Sequence, residues 1–188
     1  MTLGECKRKV RKLLDEYSSG GEITVDEDIE NRLTDLIDMG QKDVAQAKKL
    51  YRAATLPYSD ESERLYELPT DLLELVNVYR GGIYTTAYGI FGGRLTVADD
   101  RAGEVQIEYS AMPATIPVTA GDDYELEVAA DAAECIPYFA AGQLLLADLI
   151  TDFSPYWQIY LQKKAQLVPT VRRSFGGGGV RQVLFRRR

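Results

Sequence analysis

The apolar residues of this chain change their spacing twice. From Leu3 to about Ala54 they recur every three or four positions, and between about Arg64 and Tyr109 they alternate. From Asp131 onward the helical spacing returns. Such a chain must build a helical core from its two ends and carry a small sheet between them.

Each segment has its own start and stop signals. Thr2 followed by Glu5 matches a capping box, ahead of an apolar stripe at Leu3, Cys6, Val10, Leu13, Leu14 and Tyr17. That helix should end at Ser18-Ser19-Gly20-Gly21. Its other face carries Lys7, Arg8, Lys9, Arg11 and Lys12, a pattern expected of a solvated face, with docking to an acidic neighbour as the functional alternative. A second helix should run from Thr24 to about Ala54, before Pro57, with Ile29, Leu33, Leu36, Ile37, Gly40, Val44, Ala47 and Tyr51 as its stripe. Asp26, Glu27, Asp28 and Glu30 lie in its first turns, where carboxylates complement the helix dipole. They lack the spacing of a calcium loop. This acidic start and the basic face of the first helix could pair between neighbouring copies.

The middle of the chain predicts an antiparallel meander. Short β-branched and aromatic runs at Leu73–Tyr79, Ile83–Phe91, Arg94–Ala98 and Glu104–Tyr109 are separated by Gly81-Gly82, by Gly92-Gly93 and by a polar turn. Neither Gly pair leads into a helix or a Gly-Lys-Ser/Thr sequence, so both read as hairpin turns and not phosphate loops. Tyr66, Tyr79, Tyr84, Tyr88 and Tyr109 suit sheet packing or an interface. Beyond Met112-Pro113, a third helix is expected over Asp131–Leu149, with Pro137 acceptable only near its start. A fourth should run from Tyr156 to about Val168, after Ser154-Pro155. The expected fold is α+β. Residues 1–56 and 122–168 form a bundle of about four helices around an inserted small antiparallel β-sheet, 57–121. An extended Gly/Arg-rich arm, 169–188, follows.

That arm differs electrically from everything before it. Val171 to Arg188 contains six arginines and no acid. Removing these six from the 22 basic residues leaves 16 against 29 acidic ones in residues 1–170, a net charge of −13. Gly176 to Gly179 form a hinge that is entropically costly to order. Beyond it, Val180, Val183, Leu184 and Phe185 are apolar residues with no neighbouring sequence to pack against. This pattern predicts a binding arm, whereas a frayed terminus would be poorer in apolar residues. Eighteen extended residues span about 60 Å.

Composition narrows the function. The chain has no histidine, which removes Ser–His and Cys–His nucleophiles and histidine metal sites. Cys6 and Cys135 have neither disulfide nor metal-ligand spacing and read as buried thiols. Asp99-Asp100 and Asp122-Asp123 lie in turn-like segments, where aspartate is favoured for local hydrogen bonds. No signal peptide is evident, and the most apolar stretch, Cys135 to Ile150, is too short to cross a bilayer. A soluble, non-enzymatic protein without cofactor or metal is expected.

The order of three motifs is informative: Leu68-Pro69-Thr70-Asp71 before a strand, Tyr109-Ser110-Ala111-Met112-Pro113 at a strand end, and the acidic run from Glu125 into Tyr138. In this arrangement, over roughly residues 3–168, the chain resembles the head–tail connector adaptors of tailed bacteriophages. The resemblance implies a structural virion protein at the head–tail interface, made in the host cytoplasm. It would form a ring of twelve copies that extends the DNA channel beneath the portal protein and offers a platform to a downstream neck or tail protein. DNA would pass through the lumen without specific binding, and no membrane would be involved. The arm is then expected to reach the portal, with Arg172, Arg173, Phe175, Val180, Arg181, Val183, Leu184, Phe185, Arg186, Arg187 and Arg188 as contact residues. Val180 to Phe185 would suit pairing with a partner's sheet edge. The alternative is a nucleic-acid-binding protein that uses the same arginines for phosphate contacts.

Overall fold

The computed structural model describes residues 1–15, 27–60, 65–148 and 154–167. The turn expected at Ser18–Gly21, the start of the second helix at Thr24 and the whole C-terminal arm lie outside the described residues. The chain divides into two compact units. Among the described residues, Met1–Leu50 and 112–167 form a helical unit, and Tyr51–Ala111 form a β unit. The mixed α+β architecture is as expected.

In the helical unit the capping box closes as read. The Thr2 N–H donates to Glu5 Oε2 at 3.0 Å, and the Glu5 N–H donates to Thr2 Oγ1 at 3.2 Å. From this cap runs α1 (Leu3–Asp15), which buries Leu3, Cys6, Val10 and Leu14. Helix α2 (Glu27–Ala47) buries Leu33, Ile37 and Val44. It stops earlier than its stripe implied, so Tyr51–Ala54, expected to be helical, are strand instead. The single turn α3 (Ala130–Ala133) precedes α4 (Ile136–Asp148), which is followed by α5 (Ser154–Ala165). One helix expected over Asp131–Leu149 is therefore two. The break falls immediately before Ile136-Pro137, and it places the proline in the first turn of α4, where its missing N–H has no partner to lose.

Helix α4 is the centre of the core. Ile136, Phe139, Ala140, Ala141 and Leu144 are buried, and α4 packs on α1, α2 and α5. Phe139 stacks edge-on against Tyr160 at 5.2 Å and lies 5.9 Å from Trp157. Gly40 lets α2 approach closely: a Cβ there would sit 3.0 Å from Ile136 Cγ2 and 3.1 Å from Phe139 Cδ1. Polar clasps fix the outer helices. The Tyr156 hydroxyl donates to the Leu13 carbonyl at 2.6 Å, and Lys164 and the Tyr160 hydroxyl both reach the Asp43 carboxylate.

The segment 112–118 that follows the β unit in sequence is held on α2 by Asp38. This buried carboxylate accepts from the Ile116 N–H at 3.0 Å and from Gln41 Nε2 at 3.1 Å, and pairs with Lys42 at 2.6 Å. Satisfied in this way, its burial is tolerable.

The β unit contains β1 (Leu50–Leu56), β2 (Tyr58–Asp60), β3 (Leu65–Glu67), β4 (Leu72–Arg80), β5 (Ile83–Thr85), β6 (Tyr88–Phe91), β7 (Arg94–Val97) and β8 (Val105–Ala111). These make two four-stranded sheets, ordered β1-β8-β4-β5 and β2-β3-β7-β6, where a single meander was expected. Two local features divide them. The long run Ile83–Phe91 breaks where the Ala87 N–H donates to Thr85 Oγ1 at 3.2 Å, and β4 pairs along its length with β8. Both Gly pairs are hairpin turns, as read: Gly81, Gly82, Gly92 and Gly93 all have φ between 56° and 76°, the geometry of type I′ turns. Tyr66, Val78, Leu95, Val97, Val105 and Ile107 fill the interior.

Two substitutions test this packing. Ile136→Ala should lower unfolding free energy by about 2–5 kcal/mol, measured by urea titration. Gly40→Leu should destabilise by about 1–3 kcal/mol through overpacking against Ile136 and Phe139, despite leucine's better helix propensity.

Candidate functional site

The basic face of α1 is largely occupied within the chain. Lys7, expected in solvent, is only 9% exposed and lies 3.3 Å from Glu30 of α2, which Arg11 also contacts. The expected pairing between the basic helix and the acidic helix start thus occurs within one chain at Glu30. Lys9 pairs with Glu134 at 2.6 Å. Arg8 and Lys12 are exposed, and with Met1, Glu5, Lys9, Ala130 and Glu134 they line an open groove of about 510 Å³. Its mixed charge does not mark it as an anion site.

The thiols are buried and separate from any base. Burial pushes the Cys6 thiol up to about 12, and burial also raises Cys135. Both cysteines are free. Among the described residues no group of three or more His, Cys, Asp or Glu side chains could hold a metal ion, and no helix is long and apolar enough to cross a membrane. The acidic pairs have local roles. Asp99 is held well below the usual carboxylate range by hydrogen bonds from Arg101, and the Asp122 carbonyl accepts the Gly4 N–H at 3.0 Å.

Two of the three motif segments meet inside the β unit. At Leu68-Pro69-Thr70-Asp71 the Leu72 N–H donates back to the Pro69 carbonyl at 3.1 Å, closing the turn. This aims the Asp71 carboxylate at Arg52 of β1 and at the Tyr109 hydroxyl of β8, which donates to it at 3.2 Å. Burial, and then the Asp71 charge, raises the Tyr109 pKa. The motif residues therefore clasp β1, the turn before β4, and the end of β8. They are structural, a role that residue spacing alone did not disclose. The third segment does likewise: the Leu126 N–H donates to the Met1 carbonyl, and Tyr124 and Asp122 carbonyls accept the Leu3 and Gly4 N–H groups at the start of α1.

The tyrosines divide into two sets. Tyr66, Tyr79 and Tyr109 are buried, whereas Tyr84 and Tyr88 are exposed together with Ile83, Ile90 and Phe91. These last five residues lie on β5 and β6. The expected portal-contact residues Arg172, Arg173, Phe175, Val180, Arg181, Val183, Leu184, Phe185 and Arg186 to Arg188 all lie outside the described residues.

Asp71→Ala should lower stability by about 1–3 kcal/mol in urea, since it removes the acceptor shared by Arg52 and the Tyr109 hydroxyl. The cysteines make a second test. Neither should react with a thiol reagent in the native protein at pH 8, and both should react in denaturant. An unfolded thiol ionises near pH 9 and folded Cys6 only near 12, so rising pH favours the unfolded state across that window. Cys6→Ala should remove this part of the alkaline loss, read from melting curves at pH 8 and pH 10.5.

The model of one protein family, described as the SU10 adaptor protein, matches residues 1–174. No curated protein matches the sequence.

Proposed function

The chain belongs to the SU10 adaptor protein family, a family of phage head–tail adaptors, and from that premise we propose that it forms a ring, of twelve copies, docked beneath the portal. Family membership makes it a structural component of the virion that works among head–tail proteins. The observation that carries the reading is the extent of the match, which covers both the helical and the β unit.

In this reading the ring extends the DNA channel and offers a platform to a neck or tail protein downstream. The protein is made in the host cytoplasm and joins the portal during assembly. Arg172, Arg173, Phe175, Val180, Arg181, Val183, Leu184, Phe185, Arg186, Arg187 and Arg188 make the portal contact. Most of these residues lie beyond residue 174, so they rest on the arm's own chemistry. Repetition around a ring multiplies one weak strand-like contact through avidity. The net charge of −13 over residues 1–170 suits a channel through which DNA slides without being held.

Deleting residues 176–188 should leave the chain folded, as read by the helical far-UV circular dichroism and a cooperative melt, and abolish co-sedimentation with the portal. Normal docking by the deleted form would contradict the assignment. Salt-dependent duplex DNA binding by the full-length chain, lost with the arm and unaccompanied by portal binding, would favour the nucleic-acid alternative.

A further inference from the structure

Strand β6 is unusual among the strands of the β unit because all four of its residues are exposed. Among the described residues it is an edge strand, paired with β7 alone. Phe91 is 84% exposed, Ile90 53% and Tyr88 37%. An apolar edge strand open on both faces is an aggregation hazard that proteins ordinarily shield. By contrast, β2, at the other edge of the same sheet, has only three residues and an irregular register.

The hairpin fixes which backbone groups of β6 are available. The two-residue turn Gly92-Gly93 makes Phe91 and Arg94 a hydrogen-bonded pair, and the pairs alternate from there. The Ala98 N–H donates to the Ala87 carbonyl at 2.8 Å, in the same phase. Tyr88 and Ile90 therefore direct their N–H and C=O groups away from β7, toward the open edge.

We propose that the chain's own segment Val180–Phe185 docks on this edge as an added strand, parked there until the portal takes it. The inference rests on the reading of the arm as a strand-forming binding segment. Three observations select this occupant. Along an extended Val180–Phe185 the residues fall alternately on two faces, Val180, Gln182 and Leu184 on one and Arg181, Val183 and Phe185 on the other, so each face carries two apolar side chains to meet the apolar edge. Residues 51–111 hold ten acidic side chains against five arginines, a net of −5, opposite the six arginines of the arm. Twelve residues lie between Leu167, the last described residue, and Val180, so the thirteen steps of chain extend to about 43 Å. The arm thereby gains two competing partners, its own sheet edge and the portal.

Hydrogen exchange on the full-length protein tests this. The Tyr88 and Ile90 amides should exchange at least tenfold more slowly in the wild type than in Leu184→Asp/Phe185→Asp. Conversely, Ile90→Pro, which edge strands tolerate at an outward N–H, should speed exchange at Val183. Equal rates in both comparisons overturn the proposal, and protection that fades on dilution overturns it by assigning the contact to a second copy. Portal co-sedimentation of the same wild-type sample separates the two readings. Portal binding without edge protection removes the parked state alone, and edge protection without portal binding removes the portal assignment alone.

Discussion

Helix α4 has no polar face, and the rest of the helical unit follows from that. Its thirteen residues bury Ile136, Phe139, Ala140, Ala141 and Leu144, so it must be covered from several sides at once. A helix apolar all round is stable only as the middle of a bundle. The covering helices come from distant parts of the chain: α1 and α2 precede the β unit, whereas α5 follows α4 directly. Closing the core therefore brings residues 1–50 onto residues 112–167, and the intervening β unit must begin and end as an insertion.

The polar contacts suit that arrangement. Glu30 gathers Lys7 and Arg11, Asp38 holds the segment 112–118, and Asp43 holds α5 through Tyr160 and Lys164. Each joins elements far apart in sequence, and each carboxylate is on α2. Truncating any one would leave a partly buried charge without its partner, which costs more than the pair itself contributes. These clasps determine which helix faces meet, while apolar burial supplies most of the stability.

Much of this was legible in sequence because it is local. The capping box at Thr2 and Glu5, the stripe of α1, the Gly-Gly hairpins and the proline-marked helix starts each depend on neighbouring residues. Strands β1 and β2 were not legible. Tyr51 continues the helical spacing of α2, and β1 is a strand because β8, some fifty residues later, supplies its partner. The same holds for Lys7, whose burial depends on Glu30 of α2, and for the two sheets that replaced one meander. At the motif level, the order of Leu68-Pro69-Thr70-Asp71 and Tyr109-Ser110-Ala111-Met112-Pro113 marked the family. The hydrogen bond between Asp71 and Tyr109 spans 38 positions and needed the fold to be seen. The arginine arm lies outside the described residues, and its reading as a binding element rests on composition alone, since no acid within it balances its charge.

The account's central claim is that this chain acts as a ring on the portal. Electron cryomicroscopy of the full-length protein mixed with its portal tests it most directly. The account predicts twelve helical units arranged around the channel below the portal, each sending a strand of density into it. A portal without added density, or single copies bound along DNA instead, would contradict it.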